Sequence, residues 1–353
     1  MSRLFRPHER PQYFVWRSGR ASVRFERRSC ALAVALVAGI GAAGACALMI
    51  GDYPISASGA WAALVGRSPD PLATYFVTAV RAPRIVVSIL VGALLGLSGA
   101  LFQTVSANPL GSPDIIGFTT GSATGALVAM IVGGASTGGV AAGAVAGGVA
   151  TAALIYALAW RDGVTGFRMV LVGIGISAAL SAINHLLIIR APLEDAQAAE
   201  AWKAGSLNAM TWTDAAITGA TLAVAIPLLV ALSRPLSTLA LGDDAATGLG
   251  VRVEGVRAAA IALGVGLVAC AVATCGPIAF VALAAPHSAR RLAHTRGLGL
   301  ASSALMGALL TLVSDIAAQR LFAPTQLAVG VVTGALGGCY LVLLLAHEWR
   351  SRP

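Results

Sequence analysis

The chain is organised by ten runs of about 20 apolar residues separated by short polar or basic stretches, at roughly 30–50, 84–104, 113–133, 140–160, 169–189, 212–232, 256–275, 277–291, 299–319 and 327–346. About 20 residues is what a helix needs to cross a hydrocarbon core about 30 Å thick. In lipid every backbone N–H and C=O must be paired within the segment, so runs of this length can persist there only as helices. Composition points the same way: 57% of the 353 residues are apolar and 11% charged, against about 25% charged in soluble domains. That leaves too little polar side chain to cover a water-soluble globule. The longest connections, 51–83, 190–211 and 233–255, leave no room for a separate soluble domain. The expected fold is all-α and polytopic.

Charge sets the expected orientation. Lys and Arg together number 24 against 15 for Asp and Glu, and Lys203 is the only lysine. With residue 1 inside and ten alternating spans, the inner segments carry 18 cations and the outer ones 6. Eight of the inner ones lie in residues 1–28. Cytoplasmic loops carry such an excess, so both ends are expected inside, and a basic tail beside ten spans needs no nucleic acid to explain it. The expected division is a basic tail over 1–29, a membrane domain over 30–346 and a short cytoplasmic end over 347–353. The first apolar run exceeds a typical signal h-region, so an uncleaved first helix is expected. Cys30, Cys46, Cys270, Cys275 and Cys339 show no CxxC spacing and read as small apolar residues of the spans.

Small residues recur four apart, at Gly92/Gly96, Gly121/Gly125, Gly143/Gly147 and Gly330/Gly334. Residues so spaced share a helix face, and in lipid they let helix backbones approach closely. Prolines 109, 113, 277 and 286 near glycines point to short or broken helices, which membranes tolerate where protein covers the backbone or a cavity is lined. Reactive constellations are missing. No GxxxxGK[ST] occurs, and the five histidines lack metal-ligand spacing, so the chain has no phosphate cradle of its own. His185 and Asp315 are the ionisable residues singled out inside spans, where such groups are suspect by default.

Three blocks carry a resemblance. RAPRIVVSILVGALLGLSGALFQTVSANPLGSPDIIGFTTGSATGA (81–126), LGDDAATGLGV (241–251) and GPIAFVALAAPHSARRL (276–292) resemble, in order and spacing, the iron-siderophore and vitamin B12 permease family. Its members are the membrane subunits of type II ABC importers, and the resemblance runs from about residue 30 to 346. It implies ten helices per subunit and two permease subunits around one pathway. Two ATP-binding subunits that use ATP and Mg lie below, and an external protein delivers the ligand. No cofactor is expected on this chain. AWKAGSLNAMTW (201–212) looks most like the ferric-enterobactin branch, which implies a second, non-identical permease. Departures from the family pattern at Ala282, Gln326–Gly330 and Gly337–Cys339 remove no reactive group and bear on helix packing or partner choice.

The same resemblance suggests roles for particular residues. Arg81, Arg84 and Arg320 at outer helix ends are expected to meet the delivery protein, although the family's third arginine falls where this chain has Gln319. Asn108 and Leu110, with Thr165 and Gly166 from the next inner loop, are expected at a cytoplasmic gate. Gly173, Gly175 and Ser177 are expected to line the pathway. Gly242, Asp243, Asp244, Ala245, Leu249 and Gly250 are expected to couple to the ATPase. The expected function is inner-membrane import of a ferric siderophore by a transport subunit that is not itself an enzyme. A corrinoid or haem is the alternative cargo, and an ion-coupled secondary transporter the alternative class.

Overall fold

The computed structural model describes residues 13–18, 21–161, 163, 165–294 and 297–351. A β-hairpin comes first, β1 (Tyr13–Ser18) against β2 (Ala21–Glu26), antiparallel with Tyr13 opposite Glu26. It is the one departure from an all-α fold among the described residues, and it occupies part of what reads as a basic tail. Its segments, YFVWRS and ASVRFE, supply the aromatic and β-branched residues that strands favour. The remainder of the expected tail, at 1–12 and 19–20, lies outside the described residues.

Helices follow in order: α1 (Arg27–Met49), α2 (Ala57–Leu64), α3 (Pro71–Tyr75), α4 (Ala82–Val105), α5 (Pro113–Ile116), α6 (Phe118–Leu127), α7 (Thr137–Ala159), α8 (Gly166–Arg190), α9 (Leu193–Lys203), α10 (Trp212–Leu239), α11 (Asp243–Gly248), α12 (Val253–Cys275), α13 (Val281–Ala293), α14 (Leu300–Arg320) and α15 (Val329–Ser351). Seven helical stretches are long and apolar enough to cross a membrane, and Phe118–Val132 and Val329–Tyr340 are shorter apolar helices. With α13 these make the ten expected passes.

Three passes differ from simple rods. The second begins at Pro71 and runs to Val105 through a π-helical stretch, Phe76–Arg81. Pro83 lacks an N–H and crowds the carbonyl four residues back, and a π-turn just before it absorbs that misfit without ending the helix. The third pass is in pieces: α5 stops at Gly117, which sits at φ +96, then α6 continues into a π-helical end over Val128–Val132. The eighth, α13, has 13 residues, about 20 Å of helix. It covers roughly two-thirds of a hydrocarbon core, and residues 276–280, which are not helical, supply the rest.

α4 is the centre of the bundle, with 17 of its 24 residues buried, and α10, α12, α13 and α14 pack around it. Glycine sets how closely they pack. The positions where Gly92 and Gly96 would carry a Cβ are occupied by the backbone of Gly307 and Ser303 on α14. Gly121 and Gly125 meet Thr151, Gly143 and Gly147 on α7 in the same manner. Three of the four small-residue pairs are therefore helix contacts. In the fourth, Gly330 lies on the Ala204 carbonyl while Gly334 has open space.

Candidate functional site

Contacts sort the connecting segments into two ends. At one end Arg81 donates to the carbonyls of Leu48 and Tyr53, Trp212 Nε1 donates to Thr78 O, Ser206 N to Cys275 O and Gly330 N to Gly205 O. At the other, Gly166 lies against the Ser106 backbone and Gly163 against the Glu254 carboxylate. There Gln103 Nε2 donates to Leu283 O at 3.0 Å and Arg290 donates to Gln103 Oε1. Every segment assigned outside by charge counting that appears here falls at the first end, and every segment assigned inside at the second.

The arginines of the first end are committed within the chain to different degrees. Arg81 is 8% exposed, its guanidinium taken by the two carbonyls that end α1 and start the next loop. Arg84 Nε and Nη2 donate to Asp315 Oδ2 and Oδ1 at 2.9 and 2.8 Å. Gln319 Nε2 also donates to Asp315 Oδ2. Two parallel bonds of this kind are the strong, orientation-fixing form of an ion pair, and with Asp315 2% exposed they clamp α4 to α14. Arg320, at the end of α14, is exposed. Arg81 is thus engaged by chain carbonyls and Arg84 by a carboxylate, while Arg320 is the exposed arginine of the three. Beside them Tyr53 Oη donates to Asp70 Oδ2 at 2.7 Å, and Asp70 Oδ1 caps α3 by accepting from Leu72 N. The Tyr53 hydroxyl holds the Asp70 carboxyl below the usual carboxylate range, and the carboxylate in turn raises the tyrosine.

At the second end, loop 106–112 is folded on itself. Ala107 has φ 47, Asn108 Oδ1 accepts from Leu110 N at 2.9 Å, and Ser112 caps α5. Leu110 stands exposed. The start of α8, Thr165 and Gly166, packs on this loop at Ser106, where any side chain at 166 would strike backbone. Gly166 is thus brought against the loop that carries Asn108 and Leu110. Along α8 the outcome is split. Gly173 faces the Ile116 carbonyl, and Ser177 lies over Gly117 and within 3.0 Å of the Thr120 hydroxyl. These two pack on α5 and α6, Gly173 buried and Ser177 half-buried; a small residue serves a helix contact as readily as a lumen. Only Gly175 has nothing within 4 Å.

α11 is a short projecting element. Gly242 at φ 106 turns the chain into it and Gly250 at φ 81 turns it out. Ala246 is its buried residue, while Asp244, Ala245 and Leu249 are exposed. Arg257 Nη2 donates to both Asp243 oxygens, at 2.8 and 3.0 Å, and Nη1 to Glu254 Oε1 at 3.0 Å. The pair fastens α11 to α12, so Asp243 serves as a tether as well as suiting the helix start.

Two groups escaped the sequence reading. Asp114, in the first turn of α5, accepts from Thr119 Oγ1 at 2.6 Å, and its Oδ2 is buried without a partner. The Ser-Pro-Asp run that starts the helix was the available signal. Gln103, in the last turn of α4, joins α13 through Leu283 O and Arg290. Of the singled-out ionisable residues, Asp315 is in the clamp and His185 is exposed on α8. His287 meets the Tyr340 ring edge-on, a packing contact. Among the described residues no group of His, Cys, Asp and Glu could hold a metal ion.

Known proteins match this geometry along nearly the whole chain. The ferric enterobactin transport system permease protein FepG of Escherichia coli (strain K12) is 44% identical over 92% of this chain and 98% of its own length. The achromobactin transport system permease protein CbrC of Dickeya dadantii (strain 3937) is 35% identical over 95% and 96%. A solved structure described as an inward-facing conformation of a putative metal-chelate type ABC transporter superposes with a TM-score of 0.80 at 28% identity, over 90% of this chain and 99% of that one. The model of the FecCD transport family matches residues 34–347, and the chain belongs to that family.

Proposed function

We propose that the chain is the permease subunit of an ATP-binding cassette importer that carries a ferric siderophore inward across the cytoplasmic membrane. The observation that carries the reading is the 44% identity to a ferric enterobactin permease across 98% of that protein's length, loops included. A second, non-identical permease completes the central pathway, two partner subunits bind ATP and Mg, and an external protein delivers the chelate. Both ends of the chain lie in the cytoplasm, which the 18-to-6 cation bias supports. The domain division is 1–29, 30–346 and 347–353, with 233–255 as the coupling segment, and α15 continues helical into the last part.

In this reading α11 inserts in a groove on the ATPase through Asp244, Ala245 and Leu249. Gly242 and Gly250 hold it at a fixed angle, and the Arg257 tether passes its displacement to α12 as a rigid body. Loop 106–112 and the start of α8 form the inner gate, Leu110 being its exposed apolar member, and Gly175 faces the pathway. Arg320 is the exposed cation for docking, with Arg81 adding to the field beneath it; opposed charges there speed encounter and fix register.

Uptake of radioactive ferric enterobactin tests the reading, in cells that lack their own ferric-enterobactin permease and carry this chain with its partner subunits. Uptake that stops when the partner ATPase loses its phosphate-binding lysine is the expected result. Uptake of cobalamin or haem in its place would move the cargo to the other class. Uptake that survives loss of the ATPase and collapses with the proton gradient would overturn the importer assignment.

A further inference from the structure

A groove of about 780 Å³ runs between α10 and α12 on the outside of the bundle. Thr221, Val224 and Leu228 line one wall and Ala259, Leu263 and Gly266 the other. Its polar content is already satisfied, since Thr221 Oγ1 donates to the Ile217 carbonyl at 2.9 Å. The lining on α10 runs from Ala220 to Leu232, which makes the groove about 18 Å long, a little more than one leaflet's share of a ~30 Å core. A trough of this size facing hydrocarbon cannot stay empty, and an apolar lining has nothing to offer a polar ligand.

The mouth of the groove at the α11 end is basic. Arg252 stands at the N-cap of α12, seven residues before Ala259, and Arg234 follows Ala231 by three, on the flank of the α10 stripe. Both are exposed and in no ion pair among the described residues. Of the described acidic side chains on α11 and the start of α12, Asp243 and Glu254 are paired with Arg257, which leaves Asp244 beside the two arginines.

We propose that this groove is a binding site for an anionic phospholipid, its acyl chain lying between α10 and α12 and its phosphate held by Arg252 and Arg234. α8 packs on α5, α6 and α7, whereas α10 packs on α4 and α12, so the site is on a different face from α8 and its open Gly175. The site places a lipid headgroup beside α11, where leaflet composition can bear on the coupling element. Basic clusters at the inner ends of membrane helices attract anionic headgroups with roughly fivefold affinity per cation. A protein segment filling the groove is the competing occupant.

Native mass spectrometry of the purified chain in detergent, titrated with phosphatidylglycerol or phosphatidylcholine of matched acyl chains, tests this. Phosphatidylglycerol is expected to be retained several-fold over phosphatidylcholine, and the R234Q/R252Q double variant to bring the two to parity. Val224→Trp, which fills the groove, should lower retention of both. A photoactivatable phosphatidylglycerol on the unsubstituted chain should label 220–232 and 259–267, a readout that survives poor folding of either variant. A preference that persists in R234Q/R252Q, labelling confined to other helices, or loss of labelling once the second permease is assembled would overturn the proposal. None of these readouts depends on the cargo.

Discussion

Arg84 shows how a single contact changes the meaning of a residue. Outer-end position makes it a docking candidate, yet its two bonds to Asp315 make it a clamp between α4 and α14. Breaking a buried pair by removing one partner costs about 3–5 kcal/mol, so Asp315→Ala should lower the thermal midpoint sharply, and Asp315→Asn less, because an amide oxygen still accepts from Arg84. Arg84→Glu would set two carboxylates face to face, and lost docking in that variant would report a disturbed helix pair. The cleaner test is Arg320→Glu. Binding of the delivery protein should weaken, mainly through a slower and less salt-dependent association rate, with an unchanged melting profile. Unchanged association would remove Arg320 from the interface. Nearby, the Asp70 carboxyl is held low by the Tyr53 hydroxyl. A lowered folded-state value stabilises above the ordinary carboxylate range and loses its effect as pH falls through the folded value. Proteolysis of the 51–70 loop should therefore rise on acidification below that range, and Tyr53→Phe should flatten the dependence.

Among elements, the glycine faces of α4 and α6 and the projecting α11 behave differently under substitution. A leucine at Gly125 has to displace the backbone of Gly143 and Gly147, and overpacking of this kind costs about 1–3 kcal/mol or more. Lower yield and a lower melting midpoint are expected for Gly125→Leu, whereas Gly175→Leu, with open space around it, should fold normally. Gly250 is open as well, but its φ of 81 strains any residue with a Cβ. Gly250→Val should leave the bundle intact while tilting α11, so ATP hydrolysis in the assembled transporter continues as uptake falls. Normal uptake in that variant would end the coupling assignment. The two stretches that depart from the family pattern near the end of the chain also make defined contacts. Gln326 Oε1 accepts from Arg84 at 3.3 Å, and at Gly337 a Cβ would overlap the Phe280 ring.

For the molecule as a whole, the segregation of contacts into two ends makes orientation testable. Single cysteines placed at Ser68 and at Asp244, in a background freed of the five native thiols, should differ in labelling. Ser68→Cys should react with an impermeant maleimide in intact cells, and Asp244→Cys only after permeabilisation. The reverse pattern would invert the topology and with it the assignment of gate and coupling ends.

The number of passes, their order and the alternation of connecting segments between two ends were legible in the sequence, because hydrophobic run length is a local property that lipid reads directly. The three family blocks were legible because turns such as Asn108-Pro109 and Gly242-Asp243 need particular residues at particular positions. The register between helices lay beyond the sequence. Whether Gly173 faces a lumen or the Ile116 carbonyl, and whether Arg81 and Arg84 are free or bound, depends on which helix lies opposite. In lipid every apolar face is equally welcome, so periodicity along one helix cannot say what its neighbour is. The tertiary structure decided those partnerships through close backbone contacts at glycine and a few charge-assisted bonds, Arg84–Asp315 and Arg257–Asp243 among them. Their donors and acceptors lie 231 and 14 residues apart in the chain.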